Sequence, residues 1–112
     1  MKQQSPFELV KDLQGQVGRL LRGYDIDSLV SAERGTLTAL KRQAAEVRLD
    51  VRDYGMAETV AEQRRLAAEA RARLQQLDEL ILQAGSLDLI GAADVAQLSA
   101  MTQQLMTDIE EE

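Results

Sequence analysis

"EVRLDVRDYGM", residues 46–56, carries two competing periodicities, one of a strand and one of a helix. Val47, Leu49 and Val51 alternate with Arg48, Asp50 and Arg52, the period-two pattern of a half-buried strand. A longer pattern competes with it. Leu37, Leu40, Ala44, Val47, Val51 and Tyr54 recur at alternating three- and four-residue spacing, a heptad seam that passes straight through the stretch. No second stretch reads as a strand, and an isolated strand leaves its backbone groups without partners. The segment is therefore read as helix. Val47 and Val51 lie on its seam, and Leu49 points to the other side. Ala45, one turn before Leu49, together with the stems of Arg42 and Arg52, makes a second, smaller apolar face.

Ser31 is expected to cap this second helix, with Glu33 in its first turn. Downstream, Met56, Val60, Gln63, Ala67, Ala70, Leu74, Leu77, Ile81 and Ala84 keep heptad spacing. Leu66 and Leu80 flank that stripe on one side, and Arg64, Arg71 and Asp78 on the other. Its apolar face is wider than a two-stranded coiled coil needs, so the third helix is expected to touch two neighbours. Tyr54 and Met56 stand two residues apart, which no continuous heptad allows. Gly55 between them suits a Schellman ending that returns Met56 towards Val51, and Thr59 with Glu62 forms a capping box. The reading is a tight helical hairpin. Its rival is one bent helix of roughly fifty residues, ~75 Å long. Gly85 is expected to end the third helix.

Two further helices flank the hairpin. Ser5, Pro6 and Glu8 give a capping box with proline at the first helical position. Val10, Leu13, Val17, Leu20 and Tyr24 follow at helical spacing, and Gly23 is placed to stop the helix. After "GSLDLIGAAD", Gly91 precedes a stripe of Val95, Leu98, Thr102, Leu105 and Ile109, with Met101 and Met106 beside it. The expected architecture is all-α, an antiparallel four-helix bundle around a long central hairpin, with helices at about 6–22, 32–54, 58–84 and 92–109. One helical domain spans 1–112, and 1–4 and 110–112 are expected to fray.

Composition narrows the function classes. The chain has 112 residues, 45% apolar and 3% aromatic, so its core is aliphatic and thin. It has no cysteine and no histidine, which removes the thiol nucleophile, the usual general base and most transition-metal sites. No apolar run suits a signal peptide or a membrane span, and a cytoplasmic protein is expected. Gly15 and Gly18 lie inside a helix with no phosphate-loop pattern around them. "DIDS", Asp25–Ser28, hints at a calcium loop, but the positions that would carry the glycine and the glutamate hold Val30 and Thr36. No catalytic residue, metal or cofactor is expected.

The net charge of −6 sits in the last quarter. Bases and acids offset one another up to Ala84, and from Gly85 on there are six acids and no base. These observations point to a protein-interaction module that associates with itself and offers an acidic C-terminal segment to a basic partner. The interface candidates are Ala45, Leu49, Tyr54, Met56, Leu66, Leu80, Met101 and Met106; Asp94, Asp108, Glu110 and Glu111 are candidates for the basic partner. One alternative is a nucleic-acid regulator using the arginines of helices two and three, disfavoured by the negative charge and the scarcity of aromatics. Another is a small-ligand site of carboxylates with Tyr24 and Tyr54.

Overall fold

The computed structural model describes residues 5–24 and 29–110. It contains α1 (Pro6–Arg22), α2 (Ser31–Gly55), α3 (Val60–Ser86) and α4 (Ala92–Glu110), with no strand among the described residues. Residues 46–56 are helical up to Gly55, and Met56 caps α2. α1 packs on α2, α2 on α3, α3 on α4, and α4 closes back on α1. This is an antiparallel four-helix bundle in which α1 faces α3, and α2 faces α4, across the diagonal. The pairing is visible residue by residue. Arg48 Nη1 on α2 donates to Gln14 Oε1 on α1 at 3.0 Å. Arg73 on α3 reaches Glu46 and Asp50 on α2. Ser99 and Thr102 on α4 hydrogen-bond Asp78 on α3.

Each helix starts from local chemistry. Ser5 Oγ accepts the Glu8 N–H at 3.2 Å and its hydroxyl reaches the Glu8 carboxylate at 3.2 Å, with Pro6 opening α1. Thr59 Oγ1 accepts the Glu62 N–H at 3.1 Å to start α3. α2 departs from expectation: its N-cap is Val30, without a side-chain cap, and Ser31 is already helical. The first backbone bond there runs from the Arg34 N–H to the Val30 carbonyl at 2.9 Å.

The heptad seams form the core. Leu13, Leu37, Leu40, Leu74, Leu77, Ile81, Leu98, Leu105 and Ile109 are fully buried, joined by Val10, Val17 and Val47. Each such aliphatic side chain contributes about 1.5–3 kcal/mol of transfer free energy. The α3 stripe is buried only from Ala70 onward; Val60 is 65% exposed. In antiparallel register the last residues of α4 lie beside Ala67–Ala70, so the first two turns of α3 run past the end of α4.

Two glycines act differently from expectation. No glycine has a positive φ, so Gly55 makes no left-handed ending. The Met56 N–H bonds the carbonyls of Arg52 and Asp53, and Met56 is 71% exposed instead of folding back on Val51. Gly85 does not end α3 either, since the helix continues to Ser86. The Schellman bonds run from the Leu89 N–H to the Ala84 carbonyl (2.9 Å) and from the Asp88 N–H to the Gly85 carbonyl (3.0 Å). The left-handed residue is Asp88, φ 60°.

An aspartate there is strained relative to glycine, and its charge meets the negative end of the helix dipole. Asp88→Gly is expected to stabilise the protein by about 0.5–1 kcal/mol, raising Tm by roughly 2–6 °C. A thermal melt showing a lower Tm would contradict this account of the turn.

Candidate functional site

The outer face of α2 carries the first candidate surface. At 3.6 residues per turn, Leu49 lies about 180° from the buried Leu40–Val47–Val51 stripe. It is 49% exposed, with Ala45 half-buried beside it. Met56 continues this line two turns on, and Val60 opens α3 at the same end of the hairpin. The apolar run is rimmed by the exposed Arg42, Arg52 and Asp53, of which Arg52 and Asp53 pair at 3.2 Å.

The other interface candidates lie elsewhere. Tyr54 is 5% exposed and faces the core, its hydroxyl without a hydrogen-bond partner. Leu66, Leu80, Met101 and Met106 are half-buried and pack against the core. Heptad flank positions do not reveal whether a neighbouring helix covers them, and here one does.

The acidic candidates are dispersed. Asp94 lies near Gln16, Arg19 and Gln97 on the α1–α4 seam. Asp108 accepts from Gln104 Nε2 at 2.7 Å. Glu110, where fraying is expected, is the last residue of α4; its side chain, Glu111 and the expected fraying of 1–4 and 111–112 fall outside the described residues. So does the Asp25–Ser28 calcium hint.

Several arginines of α2 and α3 are engaged within the bundle. Arg65 pairs with Glu69 at 3.4 Å, and Arg73 bridges Glu46 and, at 2.5 Å, Asp50. Burial pushes the Asp50 carboxyl above the ordinary aspartate range, against the pull of Arg73. Between α3 and α4, Asp78 Oδ1 receives the Ser99 hydroxyl at 2.8 Å and the fully buried Thr102 hydroxyl at 2.7 Å. Both clusters join helices to one another, a structural task that accounts for their charge.

A cleft of about 700 Å³ opens at the α3–α4 turn, lined by Tyr24, Leu82, Leu89, Ile90 and Val95 among others. Tyr24 Oη donates to the Leu89 carbonyl and ties the end of α1 to that turn. Among the described residues Asp88 is the one carboxylate at its wall, and Tyr54 lies at the opposite end of α2. The two tyrosines therefore do not converge. Among the described residues no group of three or more Asp or Glu side chains is arranged to hold a metal ion. No described helix is long and apolar enough to cross a membrane.

A second groove, missed from the sequence, lies between α1 and α2. Lys11, Arg22, Lys41 and Arg48 line it, over Gly15 and Gly18. Its signal was present: Lys11, Gly15, Gly18 and Arg22 share one face of α1 at i, i+4, i+7 and i+11.

Compared with protein-family models, curated proteins and solved structures, the chain matches none.

Proposed function

We propose that this chain is a helical protein-interaction module that pairs with a second copy of itself through the outer face of α2. The observation that carries this reading is the pair Leu49 and Met56, exposed at 49 and 71% and seven residues apart on the side of α2 opposite its buried seam, while the core is already closed. A two-fold interface must be self-complementary. With α2 antiparallel to its copy about a point near Leu49, Arg42 of one chain approaches Asp53 of the other while the two leucines meet. The acidic segment with Asp94, Asp108, Glu110 and Glu111 belongs to the same reading as a surface for a basic partner. The proposal assigns binding, not catalysis.

Leu49→Asp tests it. The side chain lies opposite the core, so helicity and Tm of the folded unit are expected to hold within about 0.5 kcal/mol. Light scattering over a concentration series is expected to give a dimer for the parent chain and a monomer for the variant. A parent chain that stays monomeric at every concentration, or a variant that stays dimeric, ends the proposal.

A further inference from the structure

The α1–α2 groove is the concentration of positive charge that the ion-pair network of the bundle leaves unused. Acids outnumber bases 19 to 13 in this chain. Yet among the described residues Lys11, Arg22, Lys41 and Arg48 make no ion pair and no carboxylate lines the groove they border. The cavity is about 330 Å³. Lys11 and Arg22 stand about 16 Å apart along α1.

Two features hold it open and oriented. The glycines do not serve close helix packing: a Cβ at Gly18 would meet nothing within 4 Å, and one at Gly15 only the tip of Arg19 at 3.9 Å. They remove side chains from the floor, leaving Val17 and Ala44 beneath an open trough. At one end the Phe7 ring stands between Lys11 Nζ, at 5.6 Å from its centroid, and the Arg48 guanidinium, at 5.9 Å. Arg48 is fixed further by its bond to Gln14. Two of the four cations are thus preorganised by cation–π contact.

We infer that this groove docks an acidic segment of a partner protein, with carboxylates on Lys11, Arg22, Lys41 and Arg48 and small aliphatic side chains over Gly15 and Gly18. Charge complementarity carries the inference, and it separates a peptide from a nucleic acid. A short acidic peptide senses the groove within a screening length of about 8 Å at physiological salt. A nucleic acid extends well beyond it and meets the repulsion of a chain of net charge −6. The floor offers space for aliphatic groups, and no aromatic side chain on which a base could stack lines it among the described residues.

Fluorescence anisotropy at physiological ionic strength tests this, with a short labelled peptide of glutamates and leucines, its glutamine counterpart, and a single-stranded DNA of equal charge. The parent chain is expected to bind the glutamate peptide and not the glutamine one. Arg22→Glu and Lys41→Glu are expected to weaken binding by roughly tenfold each, because neither side chain makes an ion pair among the described residues. Leu49→Asp is expected to bind as the parent does, which separates this surface from the self-pairing face. No binding of the glutamate peptide, equal binding of both peptides, or binding that survives both charge reversals overturns the inference. So does tighter binding of the DNA that is lost in the same two variants, which would assign the groove to phosphate.

Discussion

Gly85→Leu is expected to destabilise the bundle by about 2–3 kcal/mol, a fall in Tm of roughly 10 °C. The reason lies across the α3–α4 seam. A Cβ at Gly85 would stand 2.6 Å from Val95 Cγ2, closer than real side chains approach. Val95 is β-branched on a helix and has one strongly preferred rotamer, so it cannot swing away cheaply. Either the helices separate or the valine leaves its well. The obstruction can be removed from the other side. In a Val95→Ala background, Gly85→Ala is expected to be neutral or stabilising by up to about 1 kcal/mol, because alanine is the better helix former and its space is now free. In the parent background the same change is expected to be destabilising. A double-mutant cycle by chemical denaturation reads the coupling directly. Additive effects of the two substitutions would mean that close approach is not what Gly85 serves.

The same residue shows where the sequence is legible and where it is not. Glycine near the end of a periodic run ordinarily marks a left-handed stop, and Gly85 was read that way. The stop falls instead on Asp88, and the glycine is required by a neighbour ten residues on in the chain. Local devices could be read because both partners lie within one turn: Ser5 with Glu8, and Thr59 with Glu62. The seams could be read because their period spans many residues, which is why the alternation at 46–56 did not prevail over helix. The extent of burial along a seam could not. Met56 and Val60 keep the α3 heptad but are exposed, because periodicity does not tell how long the neighbouring helix is.

The candidate surfaces divide along the same line. Leu49 was identifiable, since an apolar residue off the seam shows itself in one helix. Tyr54, Leu66, Leu80, Met101 and Met106 looked equally available and are covered to different degrees by their own bundle. The basic groove needed tertiary knowledge: two of its four cations come from α1 and two from α2, about 30 residues later. Of the α2 and α3 cations that stand out in the sequence, Arg52, Arg65 and Arg73 pair with carboxylates, whereas Lys41 and Arg48 border the groove, which only the fold joins to Lys11 and Arg22 of α1.

Arg73→Gln is expected to cost about 1–2 kcal/mol at neutral pH and clearly less in acid. Arg73 lies between Glu46 and Asp50, with Glu69 and Asp53 adding negative charge around Asp50. Removing one partner of a fully buried pair costs more, about 3–5 kcal/mol. Here the Arg73 and Glu46 side chains are 40 and 37% exposed and Asp50 is 20% exposed, so water takes back part of the loss. The pH dependence follows from the direction in which Asp50 is displaced. Burial holds its carboxyl above 3.8, outweighing the pull of Arg73. The folded state therefore favours the protonated acid more than the unfolded chain does. Its contribution to stability is full below the unfolded value and is lost as pH rises through the folded one. Arg73→Gln removes the influences that lower that pKa, so the folded value climbs further and the neutral-pH penalty grows. Acidification removes that penalty by neutralising the carboxyl. Urea denaturation at neutral pH and at pH about 4 is the measurement. Adding Asp50→Asn to Arg73→Gln is expected to recover much of the loss and flatten its pH dependence, since no buried charge is then left without a counter-ion. A loss that is as large in acid as at neutral pH would show that Arg73 acts through packing of its stem, and not by holding the Asp50 carboxylate.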